Sequence, residues 1–190
     1  DNDFAIINKP FGVISHPTSN NKDQTLVNIL LKKFEDKLSS HPDPLRPGIV
    51  HRLDKDTTGV VLVARTEKFR NYFVNLLQER KVKKNYKAIV VGKILGSFEI
   101  IDPIGRDKNN RIKMSIRPDG KEAHSFIKLE ENYHNYSLLD ISIKTGRTHQ
   151  IRVHLSSKKL PIIGDNTYNP SKNIAKETPA ALKKIIREFP

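Results

Sequence analysis

The chain of 190 residues contains no cysteine. That one absence excludes a disulfide scaffold, a thiolate metal site and a cysteine nucleophile. Long hydrophobic runs are missing too. Apolar residues sit in short clusters such as Val60-Val61-Leu62-Val63-Ala64, far below the ~18–20 consecutive residues that cross a bilayer as a helix. No membrane partner is expected. The start, Asp1-Asn2-Asp3-Phe4, has neither a basic segment nor an apolar stretch, so no secretory signal is read and a cytoplasmic location is expected. No P-loop and no dinucleotide fingerprint occurs, which leaves a nucleotide cofactor without support. The expectation is an absence of both cofactor and metal.

Positive charge is in excess. Lysine and arginine number 34 against 21 acidic residues, a formal net charge of +13. Neutralising phosphates releases counterions, so a polyanion, and nucleic acid first, is the partner such a surplus favours. An AT-rich genome that inflates Lys and Asn is the other source of the same excess. The length suits one domain with a real core.

The patterning is mixed. Phe4-Ala5-Ile6-Ile7 reads as a strand ending at Pro10, and Asp23 or Thr25 caps a helix with the stripe Leu26, Ile29, Leu30 and Phe34. A loop follows over Ser39 to Gly48. Ile49-Val50 and Val60 to Ala64 read as buried strands on either side of the polar segment His51 to Thr58. Phe69, Tyr72, Phe73, Leu76 and Leu77 have helical spacing. A strand at Tyr86 to Val91, a charged hairpin around Gly105 to Gly120, and strands at Ser125 to Leu129 and Tyr136 to Ile143, joined by a turn at Asn132 to Asn135, come next. A helix is expected over Thr148 to Leu160. A last one is expected with Thr178 as cap and Leu182, Ile185, Ile186 and Phe189 on one face. The order lacks regular strand–helix alternation, so the expected class is α+β around a mixed, mostly antiparallel central sheet with flanking helices.

Three segments carry candidate chemistry. Gly48 to Gly59 places His51, Arg52, Asp54 and Asp56 between apolar runs. Asp54-x-Asp56 with Gly59 has the opening of a calcium loop, but Arg65 stands where that loop needs its bidentate Glu. A surface turn rich in charge is the plain alternative. A carboxylate beside Leu53 and apolar strands must be paired or reactive, which favours function. Lys144 to Leu155 holds Arg147, Thr148, His149, Gln150, Arg152 and His154. His149 and His154 lack the His-Glu-x-x-His zinc spacing, and neither has a Ser or Cys partner, so no hydrolase triad is argued. On a helix, Thr148 and Arg152 share a face while Ile151 and Leu155 bury the other. Lys83-Lys84-Asn85-Tyr86-Lys87 sets one tyrosine among lysines, either a half-buried strand residue or a platform for a base.

Taken together, these residues resemble the RluA family of pseudouridine synthases, and within it the RluD-like branch. His51-Arg52-Leu53-Asp54-Lys55-Asp56-Thr57-Thr58-Gly59 is similar to the family's catalytic motif, and Gly146 to His154 to a later signature. Ile6-Ile7-Asn8-Lys9-Pro10 with Gly12-Val13 is similar to its opening strand and turn, and Gly164-Asp165 with Tyr168 to a downstream loop. The resemblance covers nearly the whole chain in order. It implies the pseudouridine synthase fold and residues 1–190 as a single catalytic domain. The S4-type RNA-binding domain that often precedes it and the last strands of relatives are expected to be lacking.

The resemblance implies Asp54 as the catalytic carboxylate, which attacks ribose C1′ or assists proton removal at C2′. It gives Arg152 as the guanidinium that keeps Asp54 ionised and Tyr86 as the residue that stacks on the base or shuttles a proton. His51, Arg52, Arg147, Thr148, His149 and Gln150 are the expected RNA-binding residues, with Arg52 placed to fill the space of an extruded uridine. The implied partner is RNA, first a stem-loop of large-subunit ribosomal RNA, with tRNA the alternative target. A monomer is expected. A non-catalytic RNA-binding or ribosome-assembly module is the rival from another class, and a nucleoside hydrolase using Asp56 as second carboxylate is a further one.

Overall fold

The apolar run Phe4-Ala5-Ile6-Ile7 is followed by Asn8 and Lys9 before Pro10, and in the computed structural model this segment is strand β1 (Phe4–Lys9). The structure describes residues 1–18, 21–35, 37–170, 174 and 178–188. The chain divides into two compact units, Asp1–Val82 and Lys83–Pro190.

In the first unit, Thr25 caps helix α1 (Leu26–Phe34). Its Oγ1 accepts from the Asn28 N–H, and Asn28 Oδ1 accepts in return from the Thr25 N–H at 3.0 Å, a reciprocal box that satisfies two orphan donors. Leu26, Val27 and Leu30 are buried, whereas Ile29 is exposed. Strand β2 (Gly59–Ala64) runs antiparallel to β1, with Phe4 opposite Ala64 and Lys9 opposite Gly59. Val61 and Val63, on one face of β2, are buried, whereas on the other face Val60 is exposed and Ala64, at the end of the strand, is buried. Helix α2 (Glu67–Gln78) is capped by Thr66. Phe69 stacks on Phe4 of β1 at 4.6 Å and on Phe73 at 6.0 Å. Ile49-Val50 is not a strand. Ile49 makes a single bridge to Val63, because Gly48 turns the chain at φ +72°. A Cβ there would lie 2.9 Å from Val63 Cγ1, so only glycine fits this approach.

In the second unit, β3 (Asn85–Val91), β4 (Phe98–Ile100), β7 (Ser125–Tyr133) and β8 (Tyr136–Ile143) form a four-stranded sheet in the order β3-β8-β7-β4. Strands β5 (Ile104–Arg106) and β6 (Met114–Ile116) form the charged hairpin. Every strand pair among the described residues is antiparallel. With four helices, the class is the expected α+β. Val90, Ile100, Ile127, Leu139, Ile141 and Leu155 form the core of this unit, the alternate residues of β8 facing inward.

Helix α3 is shorter than its pattern implied, Gln150–Ser157. His149 sits in the left-handed region at φ 56°, which stops the helix from reaching back to Thr148. Thr148 and Arg152 therefore do not share a helix face. The other end closes when Leu160 N–H donates to Leu155 O and Lys159 N–H to Ser156 O, with Lys159 left-handed at φ 61°. Helix α4 (Ala180–Glu188) starts from Pro179, whose carbonyl accepts from Lys183 N–H at 2.9 Å. Thr178, expected as its cap, instead shares a 2.6 Å hydrogen bond with the Tyr136 hydroxyl. Of the expected stripe, Ile186 is buried, whereas Leu182 and Ile185 are exposed. Phe189 and Pro190 lie outside the described residues.

Candidate active site

Asp54 is half-buried on the loop before β2, and its backbone is held at three consecutive carbonyls. The Leu53 carbonyl accepts from Ser15 Oγ–H at 2.7 Å. The Asp54 carbonyl accepts from the Thr57 N–H at 3.2 Å, closing a turn. The Lys55 carbonyl accepts from Lys9 Nζ at 2.9 Å. Lys9 is 0% exposed, and its ammonium also donates to the carbonyls of Pro10 and Val13. Burial lowers its pKa, and the nearby Asp56 and Asp54 oppose that. A side chain carried on backbone fixed this way is pre-organised, the condition a catalytic carboxylate needs. Asp56 is exposed.

His51 and Arg52 are both held inside the same unit. Ala64 N–H donates to Gly48 O at 2.8 Å, and two residues back Leu62 N–H donates to His51 Nε2 at 2.8 Å. The imidazole thus stands where the next backbone carbonyl of a third strand would be, and Nε2 must carry a lone pair. His51 also lies 6.2 Å from the ring of Phe73. Arg52 Nη1 lies 3.2 Å from His16 Nε2.

In the second unit, Arg152 grips Asp165 with two parallel bonds, Nε to Oδ2 at 2.8 Å and Nη2 to Oδ1 at 2.9 Å, the fork geometry that only arginine offers. Its guanidinium also lies 5.0 Å from the ring centre of Tyr168. Burial would raise the Asp165 carboxyl, but the Arg152 bonds and the N–H groups of Tyr168 and Thr167 outweigh it and hold the pKa below the ordinary value. The Tyr168 hydroxyl accepts from the Met114 N–H and meets His149 Nδ1, both at 2.8 Å. Tyr86 is half-buried on β3, opposite Ile141 and against the core.

Gln150 is 3% exposed, and it serves as an internal clamp instead of reaching out to RNA. Its Oε1 accepts from Thr145 Oγ1 and Arg147 N–H, and its Nε2 donates to His124 O and Ser125 Oγ. Ser125 Oγ–H continues the chain to His154 Nδ1, and His154 Nε2–H donates to the Asp102 carbonyl. Arg147 is half-buried, with Nε donating to Glu122 O at 2.7 Å. Thr148 is exposed. Exposed basic residues Arg106, Lys108 and Arg111 mark the β5–β6 hairpin, whereas Lys87 is paired with Glu130.

Lys9, Ser15 and His16 escaped the sequence reading as functional residues. The only signal was the Asn8-Lys9-Pro10 step at a strand end, which does not say where the lysine turns. A family model for RNA pseudouridylate synthases matches residues 3–157. The chain belongs to this family. It is 39% identical over 189 residues to the ribosomal large subunit pseudouridine synthase D of Vibrio cholerae, covering 100% of this chain and 57% of that protein. It is 43% identical over 166 residues to an uncharacterised RNA pseudouridine synthase of Chloroflexus aurantiacus, covering 87% and 52%. This family member therefore spans a little over half the length of those relatives. Its structure is similar to that of human RNA pseudouridylate synthase domain containing 1, with a TM-score of 0.73 and 27% identity over 89% of this chain and 67% of that one.

Proposed function

We propose that the chain carries the catalytic part of an RNA pseudouridine synthase, acting on uridines in a stem-loop of large-subunit ribosomal RNA. The observation that carries this reading is the half-buried Asp54, on backbone pinned at Leu53, Asp54 and Lys55 by Ser15, Thr57 and Lys9. A loop that is merely charged and solvated does not need a fully buried ammonium beneath it.

The chemistry breaks the C1′–N1 bond of uridine, turns the base over and joins C1′ to C5. The C5 proton leaves to solvent and N1 takes one up, so the reaction is an isomerisation without net redox change. Asp54 acts at the ribose. Arg152 is assigned as its charge partner and Tyr86 as the residue at the base, on the family's pattern. Asp165 and Tyr168 hold the Arg152 guanidinium in a defined orientation. Extruding the uridine costs a few kcal/mol. Arg52 is assigned to the vacated space, and the basic surplus, with the β5–β6 hairpin, supplies salt-sensitive affinity. The ribosomal target is supported by relatives such as the Vibrio cholerae and Xanthomonas campestris proteins named as large-subunit synthases.

The test is tritium release from transcripts labelled at uracil C5, large-subunit ribosomal RNA against tRNA, with free uracil measured in parallel. Release from the ribosomal transcript alone, with no free uracil, is expected. Release from tRNA alone would overturn the target, free uracil would make the chain a hydrolase, and binding without release would make it an RNA-binding module.

A further inference from the structure

We propose that His16 is a positioning residue for Arg52, its neutral imidazole holding the guanidinium in place for RNA beside Asp54. The proposal rests on the functional reading above, in which Arg52 meets the RNA. His16 is 4% exposed, and a buried imidazole is costly unless both ring nitrogens find partners. Here they do, with opposite polarity. Nδ1 lies 2.9 Å from the Pro17 carbonyl, which can only accept, and Nε2 lies 3.2 Å from Arg52 Nη1, which can only donate. The two partners fix one tautomer and exclude the imidazolium.

The backbone that carries the imidazole is itself immobilised. Ile14 and Ser15 carbonyls accept from Leu26 and Val27 N–H at the start of α1, and Ser15 Oγ–H binds the Leu53 carbonyl. Leu53, the residue between Arg52 and Asp54, is therefore gripped at its carbonyl by the neighbour of His16. Arg52 is exposed, and a long exposed side chain gives up rotamer freedom on binding unless something has already ordered it.

The arrangement has a pH signature. The groups facing His16 are the Pro17 carbonyl, Arg46, Arg52 and Asp43, and burial together with the two arginines holds its pKa below the ordinary imidazole value. Once protonated, Nε2 becomes a donor facing a donor, and Arg52 is released. Acid ordinarily tightens polyanion binding by a basic chain. Here the Arg52 contribution is lost as pH falls.

The test measures affinity for a ribosomal stem-loop with His16→Asn, His16→Gln and Arg52→Ala. Asn keeps a donor near Pro17 but does not reach Arg52, whereas Gln places an acceptor near the Nε2 position. His16→Asn is expected to weaken binding roughly 5- to 10-fold, and to change nothing further in the Arg52→Ala background. His16→Gln should restore most of the loss. An equal loss in both backgrounds would make His16 merely structural and overturn the proposal. Nitrogen-15 NMR of the His16 ring in the RNA-free protein reads the tautomer directly. The Nδ1–H form is expected at neutral pH, with a higher pKa in Arg52→Ala. The Nε2–H form or an imidazolium would overturn the proposal alone, whereas a wild-type protein that binds no RNA overturns the functional reading with it.

Discussion

Lys9 Nζ lies 2.9 Å from the carbonyl oxygen of Lys55, 46 residues away in sequence and one residue past Asp54. The end of β1 thus holds the loop that carries the carboxylate. Lys9→Met removes a donor to three carbonyls at once, and unsatisfied buried acceptors cost about 1–3 kcal/mol each before relaxation. The variant is expected to lose roughly 2–4 kcal/mol of stability and to lose tritium release even at temperatures where it is folded. Unchanged urea midpoint and turnover would show that the buried ammonium does not support the loop.

His51 takes the place of a strand carbonyl for the Leu62 N–H. His51→Ala should leave that amide to solvent, so hydrogen exchange at Leu62 should accelerate by at least about 10-fold while Val61 and Val63, on the β1–β2 ladder, change less. Protection at Leu62 unchanged in the variant would assign its bond elsewhere.

Much of this was legible from the residues. The apolar run before Pro10 marked β1, two apolar-rich segments joined by the turn at Asn132 to Asn135 marked β7 and β8, a choice of Asp23 or Thr25 marked the start of α1, and the density of charge between Ile49 and Val60 marked the Asp54 loop. What was not legible depends on tertiary placement. A lysine before proline looks like surface charge until its ammonium is seen under a distant loop. Gln150 in a basic segment looks like an RNA contact, but a buried amide with four partners must face inward. Thr148 looked helical because the pattern continues through it, and only the left-handed His149 breaks the run.

Protonation of buried histidines sets the acid side of stability. Burial first, opposed by the Asp102 carbonyl, lowers the pKa of His154 below 6.5, and His16 is lowered likewise. Below the unfolded value the unfolded chain takes up protons that the folded chain refuses, so stability is full above pH 6.5 and declines as pH falls toward the folded pKa values. The urea midpoint should drop between pH 7.5 and 5.5 (on the order of 1 unit either side of an ordinary imidazole pKa), and drop less in His154→Gln. A midpoint that rises over this range would reverse the sign assigned here.

Arg152 and Asp165 form a two-bond pair with the carboxylate nearly buried. Asp165→Asn should lower kcat at least about 10-fold with little change in RNA affinity, because it disorients Arg152 without removing it. Arg152→Lys should likewise lose activity, since an ammonium cannot make the fork. Full activity in Arg152→Lys would show that charge alone suffices.

The decisive comparison is between this chain and Asp54→Asn, assayed for tritium release from a C5-labelled ribosomal transcript and for RNA binding in the same samples. Asp54→Asn keeps the size of the side chain and its pinned backbone but removes the carboxylate. Release abolished with RNA affinity retained is the expected result. Substantial release by the variant would contradict the assignment of Asp54 and, with it, the role given to the loop that Lys9 and Ser15 hold in place.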